Sequence, residues 1–454
     1  MIQTTGRSTL LEDLVRLGMR PSSLRDRERA ARHLLDWFAC AAAAASSPAA
    51  RAFRAALQPA CSSEPLWLLA GDSEAHQAVL ADGALGSLLE MDDVHRSAVL
   101  HPGPVIIPAA LATALQSRAS IASLLDAIVR GYEVTIRLGR AVGLGHYRYW
   151  HPSSSCGAFG AAMAAAGVRG LDQARTSWAL ANAGTRTGGL WQMRHEAVPS
   201  KALHTALAAH SGWLAAALAE QGFSGPLSLL EGEQGLFAAM APEADSAGLL
   251  AAADHWLIHE VSFKPWPACR HAHPAMDALM ALDSRPEPDA IESVAVETYQ
   301  AALDFCDCPH PSTPGQARFS LQHALASILV HGRPRMRHYE SDALSFAPVQ
   351  ALRERIKLAS SRRFDRAFPH HFGAAIRLRT RSGEVMQAAV EDAWGDPEWP
   401  LSDADLGAKA ADLFESAGFE AARARRIIDQ TLSLAEQAEK SETPAMDSLR
   451  ALWS

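Results

Sequence analysis

Long apolar runs are missing from this chain of 454 residues. The longest near its start, Trp37 to Ala45, falls far short of the ~20 residues a membrane helix needs. A secretion signal is missing as well, because Met1 to Met19 mixes acids among its apolar residues and has no signal core. Cysteine is scarce: six residues cannot build a disulfide scaffold in a chain of this size. Positive charge is not in excess either. Lys and Arg total 42 against 50 Asp and Glu, a net charge of −8, whereas a nucleic-acid-binding surface needs clustered cations. Together these absences predict a cytoplasmic soluble protein with no membrane or nucleic-acid partner. An acidic chain can still hold an acidic substrate where a few cations line a cleft.

Several chemical signatures are also missing. There is no Gly-x-Gly-x-x-Gly opening a βαβ unit, no phosphate loop, no Gly-x-Ser-x-Gly elbow and no His-Glu-x-x-His. Nicotinamide, ATP and common hydrolase chemistry lose weight. Histidine, aspartate and lysine remain as a set for proton transfer.

What is present is 48% hydrophobic and 20% charged, which excludes a mainly disordered chain. The first 240 residues are rich in alanine and leucine and read as helix after helix. Thr9 and Glu12 have capping-box spacing. Helices are expected over Arg25–Ala45, Leu124–Leu138, Leu171–Ala183 and Lys201–Glu220. Near Phe263 the composition turns to proline, histidine and aromatics. Ile291–Thr298 reads as a strand, as do Ile356–Ala359 and Ala374–Thr380. Phe319–Val330, Leu401–Phe419 and Ala421–Glu436 read as helices, with Gly418 as a break. The expected architecture is mainly α with a second, smaller α/β domain. The all-helical domain spans 1–265 and is completed by 401–454; the smaller domain spans 266–400.

Four segments place ionisable groups among small or apolar neighbours. Glu90, Asp92, Asp93 and His95 end an apolar helix, and His101 follows; a carboxylate beside a histidine holds the imidazole in one tautomer. His146 to Gly157 carries His151 ahead of Ser153, Ser154 and an alanine-rich helix, where free N–H groups suit a carboxylate. Lys201 lies in the first turn of a helix, where the dipole does not favour it; it either faces solvent or needs an anionic partner. His204 sits one turn on, on the same face. In the fourth segment, Lys264 to Pro274, Cys269, His271 and His273 suggest zinc, but no second half of a ligand set is apparent, and no metal is expected.

Read together, these segments resemble the MmgE/PrpD family, which includes 2-methylcitrate dehydratase, cis-aconitate decarboxylase and iminodisuccinate epimerase. The likeness runs from about Asp36 to beyond Phe372. It rests on Met91-Asp92-Asp93-Val94-His95 with His101-Pro102-Gly103 and Pro108, on Trp150 to Gly160, on Lys201 with its alanine helix, on Lys264 to His273, and on Ala317-Arg318-Phe319-Ser320. The resemblance implies a large helical domain and a smaller α/β domain with the site between them. It also implies a homodimer, a small di- or tricarboxylate substrate, and neither metal nor organic cofactor. By motif, its site residues fall on Asp93, His101, His151 and Lys201, with His95, His273, Phe319 and the serines Ser153 and Ser154 lining the pocket. One departure stands out: Leu321-Gln322-His323 occurs where many members carry an aromatic residue, so His323 is expected to alter preference. The chemistry expected is proton transfer α to a carboxylate by His101, held by Asp93, with His151 as partner acid and Lys201 on a carboxylate. The lyase reading ranks dehydration first, ahead of epimerisation and decarboxylation. A non-catalytic homologue is the rival from another class.

Overall fold

The computed structural model describes residues 8–57, 75–196 and 198–440, together with Met446, Leu449 and Trp453. Thr9 and Glu12 close the expected capping box on Leu10–Gly18, and Ser23 with Asp26 does the same for Leu24–Ala44. Beyond Leu34 that second helix is buried on every side, as its run of apolar residues requires. Ser120 caps Ile121–Tyr147, a helix longer at both ends than its apolar pattern suggested and kinked at Gly143, whose φ is +66°.

The centre of the large domain is Gly157–Val168, which packs against Gly103–Ser117, Ile121–Tyr147 and Ser200–Glu220. Alanine and glycine make that closeness achievable. A methyl group on Gly160 would lie 2.5 Å from the Gly131 carbonyl and still nearer the Thr135 hydroxyl. Gly160→Ala is therefore expected to cost about 1–3 kcal/mol through overpacking, read as a lower denaturation midpoint; an unchanged midpoint would contradict this packing.

Late in the chain, Asp403–Ser416 and Ala421–Leu432 pack on Leu24–Ala44. Lys409 reaches Asp36 (2.5 Å) and the Met91 carbonyl (2.6 Å), and Phe38 stacks on Trp453 at 3.9 Å.

Between these helices in sequence comes a four-stranded sheet: β1 (Ile291–Thr298), β2 (Ile356–Ser360), β3 (Ala374–Thr380) and β4 (Val385–Val390), in the order β2-β1-β3-β4. β1 pairs parallel with β2 and antiparallel with β3; β3 and β4 form a hairpin through Ser382-Gly383. The helix His273–Met280 covers β3 and β4 and meets Leu321–His331. The architecture is mainly α with a smaller α/β domain, as the sequence predicts. β4 was not anticipated: it is an edge strand with no fully buried residue, so its sequence carries no strong alternation.

The two parts are tied through Asp396. Its carboxylate accepts from Arg270 (2.5 Å), Ser262 (2.5 Å) and Arg96 (3.2 Å), while Arg96 also holds Asp392 (2.6 Å) and Glu398 (2.6 Å). Among the described residues, no helix is long and apolar enough to cross a membrane.

Candidate active site

A cavity of about 950 Å³ opens between the helical domain and the α/β domain. Its polar end is built by the non-helical stretch that follows Ala75–Leu85. Glu90 takes a left-handed backbone conformation (φ 55°), which costs energy for a side chain of this kind and is typical of functional sites. In that conformation its carboxylate meets two lysines. Lys201, from the first turn of Ser200–Glu220, donates to Oε1 of Glu90. Lys264, fully buried, donates to the Glu90 carbonyl (3.1 Å) and Oε2 (3.4 Å) and lies 3.8 Å from Asp92.

His101 completes the cluster. Its Nδ1 lies 2.8 Å from the Asp93 carbonyl and 3.1 Å from Oδ2 of Asp92. A carbonyl only accepts, so Nδ1 carries a proton, and Nε2 is left as the nitrogen free to exchange one, on a residue that lines the cavity. The backbone N–H of His101 donates to Ser153 Oγ at 2.9 Å, which fixes where the ring begins.

The charges are mutually supporting. Burial alone would raise the carboxyls of Asp92 and Glu90. His101 and Lys264 outweigh it for Asp92, and Lys201 and Lys264 for Glu90, so both stay below the ordinary carboxylate range. Burial likewise opposes the charge on Lys201, but Glu90 and Asp92 hold its ammonium above the usual lysine value.

The pattern of the MmgE/PrpD N-terminal domain matches residues 17–248, and that of the C-terminal domain matches 266–434. The chain belongs to the MmgE/PrpD family. It is 28% identical to the cis-aconitate decarboxylase-like protein oryM of Aspergillus oryzae over 81% of each chain. It is 25% identical to cis-aconitate decarboxylase of Aspergillus terreus over 79% of this chain and 78% of that one. A shorter likeness, 27% identity over 29% of this chain and 27% of the other, relates it to the mitochondrial 2-methylcitrate dehydratase of Yarrowia lipolytica. These relatives are enzymes, a decarboxylase and a dehydratase among them.

Of the residues expected at the site of this MmgE/PrpD protein, His101, His151, Lys201 and Phe319 line the cavity. Asp93 does not. Consecutive residues of a non-helical segment face opposite sides, and here Asp92 turns to His101 while Asp93 turns into the helical core. There its carboxylate accepts from Tyr132 (2.6 Å) and Gly103 (3.0 Å) and lies 2.7 Å from Nδ1 of His33. Asp92 therefore replaces Asp93 as the carboxylate partner of His101, and Asp93 contributes only its carbonyl.

Three expected histidines are also corrected. His95 lies 3.4 Å from Arg140 and 3.6 Å from Glu260; His273 is bonded to Ala268 and Arg270; His323 is bonded to the His338 carbonyl. None of the three lines the cavity, and each holds at least one partner away from it, although Nδ1 of His323 is buried without one. Ser153 acts through His101, and Ser154 donates to the His204 carbonyl.

His151 is placed as expected but in a different state. Both ring nitrogens are buried without a hydrogen-bond partner, 4.5 Å from the Trp191 ring. Burial, then Lys201, His204 and His101, push its imidazolium form far out of reach, so it is a neutral N–H donor rather than a charged acid.

Glu90 and Asp92 were noted in the sequence without roles, and Lys264 only as part of a matching block. Lys264's signal was its setting, a lone lysine between Phe263 and Pro265-Trp266. His271, weighed for zinc beside His273, instead bonds Tyr299 at 2.8 Å.

Buried histidines predict an acid-labile fold. Burial holds His33, His151 and His273 well below the ordinary value, His95 and His323 at about 4, and His271 at about 3. Each binds fewer protons folded than unfolded below about pH 6.5, so its contribution is complete above that pH and lost as pH falls. Burial raises Asp36 and Asp93 to about 6 and Asp277 to about 7, which acts in the opposite direction. The histidines named outnumber these aspartates, so Tm is expected to fall between pH 7 and pH 5. An equal or higher Tm at pH 5 would contradict the neutral assignments.

Proposed function

We propose that this chain is a lyase that moves a proton at a carbon next to a carboxylate in a small polycarboxylate. The observation that carries the reading is His101, fixed at Nδ1 by Asp92 and the Asp93 carbonyl, with Lys201 beside it in one cavity. Nε2 of His101 is the atom that exchanges the proton. A carbon next to a carboxylate is a weak acid, so positive charge must stand where negative charge develops. Lys201 supplies it, with Lys264 behind, and the neutral N–H of His151 donates to a substrate oxygen.

The same groups serve two outcomes. In dehydration, His101 removes the proton and hydroxide leaves from the adjacent carbon. In decarboxylation, CO₂ leaves, the electron pair of the broken C–C bond stays on the carbon skeleton, and His101, entering protonated at both nitrogens with Asp92 beside it, delivers its Nε2 proton to that carbon. The similarity to cis-aconitate decarboxylases and a decarboxylase-like protein extends over 62–81% of this chain, against 29% for the dehydratase. That breadth favours decarboxylation over the dehydration ranked first from the sequence.

The test is proton NMR of the purified protein with cis-aconitate, citrate, 2-methylcitrate and iminodisuccinate. Loss of a carboxylate from cis-aconitate, with a new methylene signal, is expected. A vinyl signal arising only from the hydroxy acids would reassign the protein to dehydration, and silence across the four and across alkyl-substituted citrate and cis-aconitate would overturn the reading.

A further inference from the structure

The proton-transfer groups occupy one end of the cavity and leave an aromatic wall without a task. Tyr147 ends its long helix, Trp191 opens the short turn Trp191–His195, and Phe305 comes from Gln300–Cys306 of the other domain. Tyr147 and Phe305 stack at 5.8 Å, and Trp191 meets them edge-on at 5.7 and 6.1 Å. All three line the cavity, and Tyr147 and Phe305 are only half-buried. Rings serving purely as domain cement would be closed off on every side. The wall joins the reacting end through His151, whose ring centre is 4.5 Å from that of Trp191.

Size points the same way. A cavity of about 950 Å³ suits a drug-sized ligand, whereas a six-carbon tricarboxylate has only about 12 non-hydrogen atoms. Charge narrows the class further. Arg194 already covers Phe305 at 4.8 Å, so a cationic group there would meet like charge. The polar groups of the three rings are only the buried, unpartnered indole N–H of Trp191 and the Tyr147 hydroxyl, so the wall is otherwise hydrocarbon.

We propose that the substrate is a polycarboxylate bearing a hydrocarbon substituent of several carbons, seated against Tyr147, Trp191 and Phe305. This rests on the reading that the polar end binds carboxylates.

The test is calorimetric titration with succinate and its 2-methyl, 2-propyl and 2-hexyl derivatives. These acids lack both the hydroxyl and the double bond, so the readout is binding without turnover. Each added methylene is expected to tighten Kd about fourfold, from ~0.8 kcal/mol per buried CH₂. Phe305→Ala and Trp191→Ala are expected to flatten that series. A Kd independent of chain length, weaker binding beyond methyl, no binding by any member, or an unchanged slope in both variants would each overturn the proposal. Chain-length-dependent binding with silence both in the turnover panel and with hexyl-substituted citrate and cis-aconitate would support it and remove the lyase reading instead. Turnover of the panel with a flat series would do the reverse.

Discussion

Replacing His101 by alanine is expected to lower kcat by about 10²–10⁴-fold, the contribution of a positioned general acid or base. The size follows from how completely the ring is pre-set. Ser153 fixes its backbone, the Asp93 carbonyl and Asp92 fix Nδ1, and only Nε2 is left to exchange a proton. His101 keeps some exposure and sits in no apolar cluster, so the melting temperature of the variant should stay near that of the parent. Asp92→Asn is the companion, because it keeps the shape but removes the charge that supports a protonated ring. It should lower kcat while leaving KM closer to its starting value. Near-normal turnover by either variant would remove His101 from the centre of the chemistry.

Lys264→Met is the second large effect, and it is expected in stability. The Lys264 side chain is fully buried among Glu90 and Asp92, with its ammonium on the Glu90 carbonyl. Removing one partner of a buried ionic cluster leaves charge uncompensated and costs about 3–5 kcal/mol. Methionine fills the volume, so the loss would be electrostatic rather than a cavity. The double variant Lys264→Met/Asp92→Asn should recover much of that loss, because Glu90 keeps Lys201 while Asp92 is the carboxylate left without a cation, and should remain inactive. Urea denaturation of the parent and both variants checks this. A loss below about 1 kcal/mol for Lys264→Met, or no recovery in the double variant, would contradict the ionic assignment.

Much of the fold could be read from residue patterns because the patterns were locally complete. Thr9 with Glu12, the apolar run after Leu34 and the alternation of Ile291–Thr298 each impose one local structure. β4 escaped because an edge strand has little to bury, and Ile121–Tyr147 was underestimated because helix continues past its apolar core.

The site divided along a similar line. His101, His151 and Lys201 stood out as ionisable groups in small, apolar surroundings, and all three reach the cavity. Asp92 and Asp93 are neighbours of one residue type, and only the direction of the backbone decides which faces His101. His95, His273 and His323 stand in the same motifs, yet each found a partner supplied by residues distant in sequence or by its own turn. Glu90 joins two lysines that lie 63 residues apart, a meeting that no local pattern encodes.

The central claim is that His101 exchanges a proton at a carbon next to a carboxylate. The most direct measurement is deuterium incorporation, by NMR and mass spectrometry, when the protein and its His101→Ala variant meet cis-aconitate in D₂O. The account predicts one deuterium at the carbon adjacent to a carboxylate of the product with the parent protein, and a rate at least a hundredfold lower with the variant. Equal rates in the two, or product formed without deuterium, would contradict it.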